Sequence, residues 1–145
     1  MLLHRWFVGF GVVLACLFGT AGGGRLAAQA GEGKLKFEVY QDAAKEYRWR
    51  LKAANGAILA TAGQGYKAKA DCRKGVDRIK EDVASGKLKF EEYQDNAKEY
   101  RWRLKASNGQ TIAASSEGYK AKADCDRAID LIKKGAATAE VEDKT

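Results

Sequence analysis

Proline is absent from this chain, and histidine occurs once, as His4, within the first few residues. With no proline, its turns must rest on other residues, Asn-Gly above all. The first thirty residues read as a detachable leader. A basic start at His4 and Arg5 is followed by an apolar run from Trp6 to Phe18 and then by small residues ending in "AQA" at Ala28–Ala30. That order of basic, apolar and small segments is the layout of a secretory signal peptide, with cleavage expected after Ala30. The run is shorter than the ~20 residues that span a bilayer. Contact with a membrane is expected only through an uncleaved leader or a lipidated Cys16. The expected location is periplasmic or extracellular.

Removing the leader makes the shortages sharper. Residues 31–145 hold no imidazole, which excludes Ser/His and Cys/His nucleophile arrangements and every His-ligated metal site. Of three cysteines, Cys72 and Cys125 remain, and two sulfurs without other ligands are too few for a metal centre. No cofactor is expected. No phosphate-binding loop is present either. "GQGY" at Gly63–Tyr66 precedes a helix but lacks the Lys-Ser/Thr of a P-loop. The 26 Lys and Arg of the chain, less Arg5 and Arg25, leave 24 against 19 acids, a balance of +5. This is far from the dense basic blocks of a dedicated nucleic-acid binder.

What is present is a duplication. "KLKFEVYQDAAKEYRWRLKAANG" begins at Lys34 and "KLKFEEYQDNAKEYRWRLKASNG" at Lys87, and the offset of 53 holds to the ends of both units. A unit of ~50 residues buries too little surface to be secure alone. Repeats 34–86 and 87–145 are therefore expected to share one core about a pseudo-two-fold axis, forming a single domain over residues 31–145.

Within a unit the hydrophobic period changes from 2 to about 3.6. In "YRWRLK", Tyr47, Trp49 and Leu51 take one face and Arg48, Arg50 and Lys52 the other, as in a half-buried strand. "KFEVYQ" alternates likewise, and "DAAKE" reads as the loop between them. Matching the faces pairs Val39 with Trp49, Phe37 with Leu51, Glu38 with Arg50 and Tyr40 with Arg48. "NG" at Asn55–Gly56 and Asn108–Gly109 signals a two-residue type I′ turn. That turn leads into a third strand with Ala60 inside beside Leu51 and Leu59 outside beside Lys52. Cys72, Val76, Ile79 and Val83 then form one helical stripe, repeated as Cys125, Ile129, Ile132 and Ala136. Gly75 and Ala128 lie beside these stripes as small residues that allow close approach to the sheet. The tail from Ala139 to Thr145 aligns with the start of a further unit and is read as a last short strand. The expected class is α+β: two tandem β-β-β-α(-β) repeats sharing one antiparallel sheet, with the helices on one face.

The combined string "FEVYQD…YRWRLKAANG…GY…KADC" in both copies closely resembles the YegP-like family, domain of unknown function 1508. The family's "RxRLKAxNG" element matches Arg48–Gly56 and Arg101–Gly109, and its pre-helix tyrosine matches Tyr66 and Tyr119. Its acidic tail matches Val141–Thr145, with Lys144 in place of leucine. The resemblance implies β(3)-α-β units in one sheet with C-terminal strands exchanged between halves. It brings no established activity and no catalytic residues. Where family members carry serine before the helix, this chain has Ala68 and Ala121, with Asp71 and Asp124 available to complement the helix dipole.

Candidate chemistry is sparse. Cys72 and Cys125 lie on the apolar stripes and read as buried free thiols, a disulfide being the alternative that export would permit. Glu92 replaces Val39 at an inward-facing position, which suggests a sheet edge or a wet seam. The outer face of the sheet gathers Arg48, Arg50, Lys52, Arg101, Arg103 and Lys105, with Tyr40 and Tyr93 nearby and Leu59 and Ile112 as further members. Arginines interleaved with aromatics on a sheet are suited to a polyanion. The competing account is a solvated face laced with ion pairs, with Glu38 on Arg50 and Glu91 on Arg103. The resulting expectation is an exported, non-enzymatic binding or structural module. Its expected partner is an anionic envelope glycan or an acidic protein, nucleic acid being less expected. The alternatives are a single-stranded nucleic-acid binder and a hydrolase using carboxylates at the seam between repeats. The hydrolase requires a deep pocket holding at least two acids.

Overall fold

A computed structural model describes residues 33–145; the expected leader lies outside the described residues. Seven strands and two helices follow in the order β1 (Lys36–Gln41), β2 (Tyr47–Lys52), β3 (Ile58–Ala62), α1 (Lys69–Ala84), β4 (Lys89–Gln94), β5 (Tyr100–Lys105), β6 (Thr111–Ser115), α2 (Lys122–Gly135) and β7 (Glu140–Asp143). A short 3₁₀ turn, Ala136–Thr138, joins α2 to β7. The strands form one sheet in the order β4-β5-β6-β3-β2-β1-β7. The two repeats meet at its centre, where β3 and β6 pair antiparallel and set Thr61 opposite Ala114.

The face-matching argument gives the register of the first hairpin. Phe37 pairs with Leu51, Glu38 with Arg50, Val39 with Trp49 and Tyr40 with Arg48, and the second hairpin repeats the pattern. Arg50, Thr61, Ala114 and Arg103 are linked pair by pair across the sheet. They therefore lie on one face, because directly paired residues point the same way. Leu51, Ala60, Ala113 and Leu104 take the other face, which is buried. Both helices cover that inner face, and Cys72, Val76, Ile79, Cys125, Ile129 and Ile132 enter the same core as Trp49 and Trp102.

Two local expectations are corrected. The Asn-Gly loops are not two-residue type I′ turns. Gly56 N–H donates to the Ala53 carbonyl at 2.9 Å and Ala53 N–H to the Ala57 carbonyl at 2.8 Å. Only the glycine has positive φ, +84°. This is a type I turn followed by a left-handed residue, one residue longer than expected. The Asp42–Glu46 loop has the same bond pattern, with Lys45 in the left-handed position at φ 62°. The second correction follows from the first. Leu51 pairs with Ala60 but Lys52 pairs with Ile58, so a bulge leaves Leu59 as the extra residue. Its side chain turns inward and is fully buried, and Ile112 packs against the core, so neither lies on the outer face.

A further refinement concerns the tail. Six strands pair antiparallel, but β7 leaves the second repeat and pairs parallel with β1 of the first, Phe37 beside Val141 and Val39 beside Asp143. The sheet is therefore mixed. At the helices, a Cβ on Gly75 would meet the Tyr66 hydroxyl at 2.8 Å. The glycine thus makes room for that tyrosine, which is bonded through its backbone to Tyr47. Neither helix has a side-chain N-cap: Ala68 and Ala121 hold extended geometry and donate no cap, and Asp71 and Asp124 lie in the first turns.

Candidate functional site

The six bases predicted for the outer face are there, and each is held by a carboxylate. Arg48 donates to Asp42 at 2.6 Å and Arg101 to Asp95 at the same distance. Arg50 and Lys52 both reach Glu38, at 2.7 and 3.2 Å. Arg103 and Lys105 both reach Glu91, at 2.8 and 2.7 Å. Tyr40 and Tyr93 lie beneath Arg50 and Arg103, with guanidinium carbons 5.0 and 5.2 Å from the ring centroids. Asp42 and Asp95, which the sequence reading did not single out, also accept N–H bonds within their own hairpin loops. Six bases thus share four carboxylates, Glu38 and Glu91 serving two each, and the rings of Tyr40 and Tyr93 are already covered by arginine.

The two copies of this lattice differ in depth. Glu38 is 5% exposed. Burial pushes its carboxyl up, and the hydrogen bonds from Arg50 and Lys52 outweigh that and leave it below its usual value. Glu91 is far more open, and Arg103 and Lys105 draw it down to about 2. The difference follows from what lies beside each strand. Glu38 sits on β1, which β7 covers; Glu91 sits on β4, at the free edge of the sheet.

The same contrast runs along both edges. On β1, Phe37 and Val39 are completely buried, whereas on β4 Phe90 is partly exposed and Glu92 stands in place of the valine. The Val39 carbonyl accepts from Lys144 N–H of the tail at 2.9 Å. Because both polar groups of a strand residue point the same way, the matching residue Glu92 turns its backbone groups toward the open side. Side chains hold β7 in place as well. Lys36 bonds Glu142 at 2.9 Å, Lys69 bonds Asp143 at 3.0 Å with Arg73 at 3.7 Å, and Lys80 donates to the Ala139 carbonyl at 2.8 Å. Glu142 is lowered to about 2 by Lys144 and then Lys36.

Both cysteines are free and buried, and burial raises each thiol to about 11. Hollows at the repeat seam hold few acids. One of 330 Å³, between α1 and the β5–β6 hairpin, is lined by Tyr66, Gly75 and Ile112 with Asp82 as its one carboxylate. Another of 660 Å³, between the start of β1 and the end of α2, has Glu140 alone. Neither supplies the deep pocket with two acids that such a hydrolase requires; an open hollow of 510 Å³ along α1 does hold Asp77, Glu81 and Asp82, beside Lys74 and Arg78. Among the described residues no cluster of three metal-ligating side chains occurs, and no helix is long and apolar enough to cross a membrane.

These features define a tandem-duplicated α+β module whose sheet is closed at one edge by its C-terminal strand and, among the described residues, unpaired at the other. Comparison with known proteins gives the family. The chain belongs to the family described as "Domain of unknown function (DUF1508)", whose pattern matches residues 42–89 and again 95–143. A relative from Stutzerimonas stutzeri, the UPF0339 protein in the ptx operon 5′ region, is 40% identical over 106 residues, which is 72% of this chain and 92% of the relative. A UPF0339 protein of Agrobacterium fabrum matches one repeat, 60% identical over 57 residues, covering 39% of this chain and 90% of its own length. The solution structure of the protein of unknown function yegP from E. coli superposes with a TM-score of 0.68 at 24% identity, over 77% of this chain and 94% of that one. A UPF0339 protein of Shewanella oneidensis gives 0.67 at 20%, over 77% and 92%. These structures share the fold.

Proposed function

We propose that this chain is a non-enzymatic binding module that takes up an extended segment of a partner protein along the free edge of β4. The observation that carries this reading is internal. Two strands of nearly identical sequence occupy the two ends of one sheet; β1 is paired by β7, and β4 has no outer partner among the described residues. An exposed strand edge is a template for main-chain hydrogen bonding, and strand addition is a recurrent mode of peptide recognition. The basic outer face supports a structural role instead. A polyanion there would have to compete with Glu38, Glu91, Asp42 and Asp95 for bases they already hold. Following the expected leader, the module acts outside the cytoplasm, and its partner is an envelope or extracellular protein.

The test uses Glu92→Pro. Proline removes an N–H on the open side of β4 without touching a β4–β5 bond. Selection of extended peptides on the full chain should yield binders that perturb β4 amides, and E92P should abolish their binding while keeping the unfolding midpoint. Binders that tolerate E92P, or that map to the outer face, would refute the reading.

A further inference from the structure

The seat of β7 on β1 is a template for what β4 accepts, and the substitutions between the repeats rewrite its charge. We infer that β4 selects a segment running parallel to it, with a small residue followed one residue later by apolar, acidic and basic residues in succession. This rests on the reading above that β4 is the working edge.

Each position follows from a matched pair of contacts. In the filled seat, Ala139 is buried and its carbonyl takes Lys80. The matching lysine of the second repeat is Lys133, whose ammonium lies 5.4 Å over the Phe90 ring. It is placed to donate to the carbonyl of an incoming strand. Val141 sits beside Phe37 and packs on the core; beside the partly exposed Phe90 an apolar residue would do the same. Glu142 bonds Lys36. Lys89 is the match, is exposed and has no acid partner among the described residues, so it calls for a carboxylate at that position.

The last position is inverted. Asp143 is held by Lys69 and Arg73. In the second repeat Arg73 becomes Asp126 and Val39 becomes Glu92. Both carboxylates converge on Lys122, at 2.8 and 2.7 Å, with Lys133 acting on Asp126 from farther away. Relative to the first seat, this one has lost the Arg73 cation and gained two carboxylates, so it favours a base where the chain's own tail has Asp143. The carboxylates also disfavour a second copy of the chain. Antiparallel self-pairing centred on Glu91 or on Glu92 sets each glutamate against itself, a destabilising arrangement.

Two synthetic peptides decide the matter: the tail Ala139–Thr145 itself, and the same peptide with Asp143→Lys. Each is titrated into the full chain while β4 amide shifts are followed by NMR. The lysine peptide should bind about tenfold more tightly, the size of replacing a repulsive pair by an attractive one. In a chain carrying E92V and D126R, which rebuilds the β1 seat, the preference should reverse. Equal affinities, or a preference for the native tail by the unmodified chain, would overturn the charge pattern while leaving the open-edge reading intact. No β4 response to either peptide would overturn both. Self-association through β4 that peptides do not compete with would make a second copy the occupant and overturn the inference.

Discussion

Phe37 and Phe90 are the same residue at the same place in two repeats, and replacing each by alanine measures what β7 covers. Phe37 meets Trp49 edge-on at 5.5 Å and Phe90 meets Trp102 edge-on at 5.4 Å, so the aromatic contact is common to both and cancels. What differs is the outer flank. Phe37 is wholly buried, with Val141 beside it, while Phe90 is partly exposed, with Lys133 over its ring. Phe→Ala at a fully buried site costs about 3–5 kcal/mol. At Phe90, where part of the ring already faces water, less apolar area is re-exposed and the surroundings can relax, so the cost should be about 1–3 kcal/mol. The predicted difference is about 2 kcal/mol, read from urea unfolding with unchanged m-values. A loss of 3–5 kcal/mol approaches the whole stability of a small domain. Phe37→Leu and Phe90→Leu therefore provide the same comparison at lower cost. Equal losses in both pairs would mean that β4 is as well covered as β1, and the open-edge account would fail.

Other consequences are more local. Ala68→Ser and Ala121→Ser place a hydroxyl on extended N-caps that lack one, and each should stabilise the chain by about 0.5–1 kcal/mol in thermal unfolding. Acid should release β7 early. The Lys144 and Lys36 ammoniums hold the Glu142 carboxyl down to about 2, below the ~4.3 of a free glutamate. The stabilisation from this lowered carboxylate is complete above the free value and is lost as pH falls toward 2. The protection of β7 amides, relative to the intrinsic exchange rate at each pH, should therefore fall in that range before that of the central strands. Cys72 and Cys125, buried and raised to about 11, should resist a thiol reagent in the folded chain, and both should react on unfolding under non-reducing conditions. Detecting no thiol in the unfolded chain would indicate a disulfide instead.

Much of the fold was legible because it is written twice. Strict alternation in "YRWRLK" set the faces, and face-matching alone gave the β1–β2 register, since slipping by one residue would expose Trp49 and Leu51. The position of Glu92 at a sheet edge was legible too, as an acid where the first repeat has valine. The loop carrying Asn-Gly was misjudged because the same dipeptide serves a two-residue turn and a three-residue one, and only the extra residue turns Leu59 inward. The parallel seating of β7 was hidden for another reason. The resemblance implies that a C-terminal strand crosses to the other half, but β7 joins residues about a hundred positions apart, and no local pattern reports its parallel direction. The lysines and acids that distinguish the edges, Lys89, Lys122, Asp126 and Lys133, looked like ordinary surface charge. Only the offset of 53, read column by column through Arg73 and Asp126, could have marked them.

Amide hydrogen exchange tests the central claim most directly. With one edge closed by β7 and no strand on the other among the described residues, the outward-facing amides of Phe90 and Glu92 should exchange rapidly. The matching amides of Phe37 and Val39 should be protected in the same sample. Equal protection at all four positions would contradict the account.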